Sequence, residues 1–200
     1  MKDFLQTLKN PVTRTGFFLL LISTWSLIWS LDDGGILNHR YFTNQTVFLS
    51  FLTLLIWLSP YKNNPWFNYL AALTLVNLVL TGLTFHFILD VDRPITLQGH
   101  LSHTVIPIFY LGYYFYAMPG YDLKKFYRLL VHPFLYLLVF LITGPLTGFY
   151  PYWFLNIETQ GLTGVLIFTL GLMLPGFSLL SMVLLFFKKK LDQLQIVFQR

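Results

Sequence analysis

The chain has 200 residues, of which 56% are hydrophobic and only 10% are charged. So apolar a composition leaves too little polar surface to cover a water-soluble domain, which predicts an all-α, polytopic membrane protein. Cysteine is absent, which excludes disulfides, iron–sulfur clusters and thiol nucleophiles.

In chain order, the first apolar segment lacks a small-residue cleavage site, so we expect a retained helix and not a removed signal peptide. Five more segments follow that are long enough to cross roughly 30 Å of hydrocarbon. The connections between them are rich in helix-breaking residues and too short to hold a soluble domain. Residues 1–200 are therefore predicted to form one bundle of six transmembrane helices, spanning about 15–31, 41–59, 67–89, 100–118, 130–149 and 162–187.

The formal charge of +5 follows the predicted topology. Eleven lysines and arginines fall at the two ends of the chain and in the second and fourth connections, whereas the opposite side holds only Arg40 and Arg93. By the positive-inside rule both termini are cytoplasmic. The basic charge is thus explained by topology, and no nucleic-acid partner is predicted.

Several polar side chains are predicted to lie at one depth, near the non-cytoplasmic boundary. A helix rises about 1.5 Å per residue, which places them within about two turns of one another. These residues are Thr43, His86, Asp90, His100, His103, Tyr150 and Trp153.

Two spans also carry polar stripes at helical spacing. The second span has Thr43, Thr46, Ser50 and Thr53, and the third has Thr74, Asn77, Thr81 and Thr84. Small hydroxyl side chains let transmembrane helices approach closely and bond to each other. We interpret most of these positions as helix-packing surfaces.

The histidines allow three interpretations. His100 and His103 are three residues apart, so both rings can face one cavity. They can serve in acid–base chemistry, because imidazole titrates near neutral pH. They can join His86 and Asp90 in a metal site, although such a site wants three or four ligands, or they can bond loop carbonyls in a structural role.

Four stretches in this order carry a resemblance: "RYFTNQT" opening the second span, "LTFHFILD" closing the third, "GHLSHTVIP" opening the fourth and "GFYPYWFLN" after the fifth. Together they resemble the androgen-induced-gene and ADTRP family of six-helix membrane proteins, including its bacterial relatives. The resemblance covers about 15 to 190. The proline that follows the histidine pair comes one residue sooner in this chain than in the members of that family.

The resemblance implies an atypical hydrolase of fatty acid esters of hydroxy fatty acids, with Thr43 as nucleophile and His103 as base. This is chemically coherent, since a threonine hydroxyl needs a neighbouring base to take its proton. Asp90 or His100 are candidates to orient the base. Asn44, Gln45 and Tyr150 are candidates to stabilise the oxyanion, with His86 and Trp153 as supporting residues.

This interpretation requires neither a cofactor nor a metal. We expect a lipid ester as substrate in the bilayer, its acyl chain lying between helices while water reaches the ester from the polar end. The expected location is a bacterial cytoplasmic membrane, with the site toward the outer face. The alternatives are a non-enzymatic lipid-binding or transport protein and a histidine-based, metal-dependent membrane enzyme.

Overall fold

A computed structural model describes residues 10–89 and 94–198, and for residues 33–34 and 195–198 it describes the backbone alone. In these ranges every regular element is a helix and none is a strand, which confirms the predicted all-α class. The chain divides into two compact units, residues 1–120 and 121–200. The prediction of a single domain stays a prediction.

The first unit begins with three long helices, and local capping explains where they start. Helix α1 is Pro11–Gly34; the Asn10 side chain accepts from the Val12 N–H, and Pro11 has no N–H that needs a partner. A 3-10 turn, Gly35–Arg40, leads to α2, Phe42–Trp57. After a second 3-10 turn, Pro60–Asn63, helix α3 is Pro65–Phe87.

The fourth predicted span is a run of helix with a wide turn inside it. Helix α4, Leu97–His100, continues through a π turn, Leu101–Val105, into α5, Ile106–Ala117. The Ile106 N–H bonds to the Leu101 carbonyl, five residues back. Pro107 explains the widening, because it has no N–H to give the carbonyl four residues before it and its ring crowds that carbonyl.

Helix α3 forms the centre of the first unit. Its middle turns are almost wholly buried and it packs against both α2 and α5. Hydroxyl pairs join the helices inside this core: Thr46 to Thr81 at 3.0 Å and Thr53 to Thr74 at 2.8 Å. The predicted stripes are therefore confirmed as helix-packing surfaces for these pairs.

The second unit starts with a 3-10 segment, Leu123–Leu130, that leads directly into α6, Val131–Thr147. After Gly148 and a short turn, Trp153–Leu155, helix α7 is Ile157–Leu166; a π turn, Ile167–Met173, joins it to α8, Leu174–Phe198. Helical turns occupy much of the two stretches between the predicted spans of this unit. Helix α8 packs on Leu123–Leu130.

Four described helices are long and apolar enough to cross a membrane: Pro11–Asp32, Pro65–Phe87, Leu123–Thr147 and Ile157–Leu194. The other two predicted spans differ from these. Helix α2 has 16 residues, about 24 Å at the helical rise, and the run from α4 to α5 is divided by its π turn. Large apolar side chains such as Phe87 and Leu146 are more than three-quarters exposed, as expected of surfaces that face lipid.

Candidate functional site

Thr43 lies in the first turn of α2 and is only 8% exposed. Its backbone carbonyl accepts a hydrogen bond from the Thr46 hydroxyl at 2.8 Å. Thr46 in turn pairs with Thr81 of α3. The start of α2 is thereby fixed against the C-terminal part of α3.

The two amides beside Thr43 serve the preceding turn. The Asn44 Nδ2 donates to the Asn38 carbonyl at 2.8 Å, and the Gln45 Nε2 donates to the His39 carbonyl at 2.9 Å. An amide nitrogen carries two hydrogens and can donate to two partners. Their oxyanion role stays a prediction.

His103 lies in the π turn, and its ring stacks on Phe85 of α3. The ring centroids are 3.8 Å apart and the planes meet at 13°. The Nδ1 atom is buried, and none of the described residues gives it a hydrogen-bond partner. A buried polar nitrogen with no partner costs about 1–3 kcal/mol, so a native structure keeps one for a reason.

The structure gives the two histidines of the fourth predicted span different surroundings. His100 is exposed, whereas His103 is half-buried against α3. The wider π turn changes the rotation per residue, so the spacing of an ideal α-helix does not hold across it. The role of His100 in orienting the base stays a prediction.

His86 contacts the other side of the same turn. Its Nε2 lies 2.9 Å from the Thr104 hydroxyl, and its ring meets Phe85 edge-on, with centroids 5.1 Å apart. His86 is exposed at the end of α3. The third and fourth predicted spans therefore meet through two adjacent residues on each side.

Thr43 and His103 belong to segments that touch each other. Helix α2 contacts the π turn directly, and both residues lie at the end of the first unit where Thr46 pairs with Thr81 and Phe85 stacks on His103. Across residues 10–89 and 94–198, no hydrogen bond joins the Thr43 hydroxyl to the His103 ring. Catalytic hydrogen bonds are often long without substrate and tighten in the reacting complex.

Two other predicted residues, Tyr150 and Trp153, lie in the second unit. Tyr150 belongs to the second unit, where its ring packs against Gly144, and burial together with the Glu158 carboxylate raises its pKa, which keeps the phenol a neutral donor. Trp153 lines an apolar groove of about 270 Å³ in that unit, with Phe154, Phe168 and Gln160. Asp90 lies outside the described residues.

The metal alternative has no assembled ligand set. In the described part of the chain no three histidine or carboxylate side chains are grouped so that they can hold an ion.

Sequence reasoning missed Gly82, Phe85 and Thr104, which fix the π turn to α3. Pairing across helices leaves no spacing signal in one chain, but Pro107 was visible. A proline four residues after His103 indicates that the His103 carbonyl lacks its usual helical partner.

Comparison with models of known protein families, with characterised proteins and with solved structures finds no match for this chain.

Proposed function

We propose that this protein is an integral-membrane hydrolase of lipid esters, with Thr43 as the nucleophile and His103 as the general base. One observation supports it most. The buried Nδ1 of His103 has no partner among the described residues, and it belongs to a turn that touches the helix carrying the buried Thr43.

The surroundings of His103 suit a base. Stacking on Phe85 fixes the plane of the ring, which limits the directions in which its nitrogens can accept a proton. A neutral imidazole has one nitrogen with a free lone pair. A hydroxyl that moves next to this nitrogen gains the hydrogen bond that the resting protein lacks, so the site favours proton transfer from that hydroxyl.

The reaction takes place in two stages. The Thr43 oxygen attacks the ester carbonyl carbon while His103 takes the hydroxyl proton; the tetrahedral adduct then expels the alcohol, which receives that proton from His103. Water next attacks the acyl-Thr43 ester, and His103 again takes a proton as base. The fatty acid is released, and His103 returns the proton to the Thr43 oxygen, which restores the hydroxyl. The side-chain amides of Asn44 and Gln45 are the nearest side-chain donors in sequence for the oxyanion.

The substrate follows from the proposed topology. Six spans with both termini in the cytoplasm put the start of α2 and the π turn near the outer face of a bacterial cytoplasmic membrane. Unequal charge supports this, since eleven of the 13 lysines and arginines lie on the opposite side. An ester held there receives water from outside while its acyl chains remain among the apolar side chains of the helices.

The test is intact-protein mass spectrometry after exposure to a long-chain alkyl fluorophosphonate, followed by peptide mapping. The wild type should gain one adduct on Thr43. Thr43→Val should gain none, and His103→Asn should label about 10²- to 10⁴-fold more slowly, the usual contribution of a general base. Thr84→Val is the matched control, because it removes a half-buried hydroxyl from the same end of the unit, and it should label like the wild type.

Equal labelling in all four proteins, or an adduct on another residue, overturns this mechanism. A wild type that melts cooperatively yet gains no adduct and hydrolyses no lipid ester supports the alternative of a non-enzymatic lipid-binding protein.

A further inference from the structure

One face of α3 holds the π turn. Thr81, Gly82, Phe85 and His86 are spaced one, three and one residues apart, so they lie on one side of the helix over its last two turns. The Thr81 backbone interacts with the His103 ring, and Gly82 faces the His103 carbonyl and Pro107. Phe85 stacks on the His103 ring, and His86 bonds to Thr104. We call this set of contacts the π-turn clamp.

Gly82 lets the two backbones approach. A Cβ atom at this position would lie 3.0 Å from the His103 carbonyl oxygen and 3.7 Å from the Pro107 Cβ. The same carbonyl is the one that Pro107 leaves without an α-helical donor. The backbone of His103 is therefore set so close to α3 that any side chain larger than that of glycine would have to push it away by a few tenths of an ångström.

Phe85 and His86 then fix two consecutive side chains. Phe85 stacks on the His103 ring, and the His86 Nε2 bonds to the Thr104 hydroxyl at 2.9 Å. Consecutive residues of a helix point in different directions. Holding both of them prevents the turn from rotating about its axis, which a single contact would still allow.

The chemistry of His103 depends on that rotation. Its Nδ1 is buried only while the ring remains against Phe85. If the turn rotates outward, or relaxes toward ordinary α geometry, the ring leaves α3 and the nitrogen meets water. The bond from His86 to Thr104 resists this movement together with the interaction of the Thr81 backbone with the His103 ring, since stacking alone permits sliding of the ring.

We propose that His86 is a positioning residue, which holds the π turn through Thr104 so that the His103 imidazole stays buried against α3. The importance of this for catalysis rests on the proposed function. The effect on the position of His103 does not.

Two pairs of variants test the proposal in the full-length protein in detergent micelles. His86→Ala and Thr104→Val remove the bond, the valine keeping the shape of threonine. His86→Gln and Thr104→Ser keep a side chain that can make it. His39→Ala is the matched control, because it removes another histidine of the same unit, one that packs on Phe48.

The first measurement is the rate at which diethyl pyrocarbonate modifies His103, read by peptide mass spectrometry. His86→Ala and Thr104→Val should raise it about 3- to 18-fold, the factor by which losing one hydrogen bond between membrane helices shifts a local opening equilibrium. His86→Gln, Thr104→Ser and His39→Ala should remain within about twofold of the wild type.

The second measurement is ester hydrolysis by the same proteins. The two bond-breaking variants should lose kcat with KM unchanged, by no more than that factor because kcat follows the closed population of the turn, and the two conservative variants should restore it. If the wild type hydrolyses nothing, the proposed function fails while the modification rates still test the clamp. Equal rates of His103 modification in all variants overturn the clamp, and so does a fluorophosphonate adduct on Thr104, which would make His86 its base.

Discussion

At the scale of single residues, two glycines set close approaches that a larger side chain would disturb. Gly82 admits the His103 carbonyl in the first unit. In the second, Gly144 lies under the ring of Tyr150, and a Cβ at Gly144 would overlap three atoms of that ring. In both places the absence of a side chain is what lets a neighbour occupy its position.

Gly144→Ala should therefore destabilise the protein. The new methyl group displaces the Tyr150 ring, and overpacking of this kind costs about 1–3 kcal/mol. Thermal melting in detergent checks it. The control is Gly176→Ala in α8, where the added methyl meets open space and should stabilise by about 0.5–1 kcal/mol through helix propensity. Equal melting temperatures for both variants would refute the packing account.

At the scale of elements, hydroxyl pairs hold α2 and α3 in antiparallel register. Thr46 meets Thr81 near one end, and Thr53 meets Thr74 two turns further along. Ser50 lies between them and bonds to Ser23 of α1 at 2.9 Å. Lipid offers these hydroxyls no alternative partner, so the pairs specify which helix faces meet.

A double-mutant cycle on Thr53→Val and Thr74→Val should give a coupling of about 0.6 kcal/mol, the average for hydrogen bonds between membrane helices. The value is modest because Thr53 also bonds to the Leu49 carbonyl of its own helix. Equilibrium unfolding in mixed micelles measures it. The control is Thr143→Val, which removes a hydroxyl bonded to the Val139 carbonyl of its own helix and should not couple to Thr53→Val or Thr74→Val. If the effects of Thr53→Val and Thr74→Val on the free energy of unfolding are simply additive, this pair does not hold α2 and α3 in register.

At the scale of the whole molecule, the distribution of charge is the strongest constraint on orientation. The proposed topology puts eleven of the 13 lysines and arginines on one side, and the second and fourth connections carry four of them. Moving this many cations across the bilayer is costly, so insertion is expected to retain them in the cytoplasm. The proposed site is then expected to be open to the other side.

Because the chain has no cysteine, single cysteines can map this topology directly. Ile36→Cys, at a position 79% exposed in the first connection, should react with a membrane-impermeant maleimide in intact cells. Lys62→Cys, in the second connection, should react only after the cells are permeabilised. Labelling of Lys62→Cys from outside would invert the proposed orientation.

The sequence by itself determined the helices and the faces through which α2 and α3 pack against each other. Backbone groups inside a bilayer must bond within their own segment, so a long apolar run becomes a helix whatever surrounds it. Hydroxyls repeating at helical spacing marked the packed faces of α2 and α3 for the same local reason. Helix ends were less well predicted, because the 3-10 segment Leu123–Leu130 and helix α7, Ile157–Leu166, extend two of the spans beyond their predicted starts.

Only the tertiary structure decided which side chains meet at the outer end of the first unit. The pairs Phe85 with His103 and His86 with Thr104 depend on the relative rotation of two helices, and one of those helices changes its pitch at Pro107. The spacing of residues along one chain gives only the angular positions that they would have on an ideal α-helix. It therefore grouped His100 with His103 but gave no sign that His103 stacks on Phe85 while His100 remains exposed.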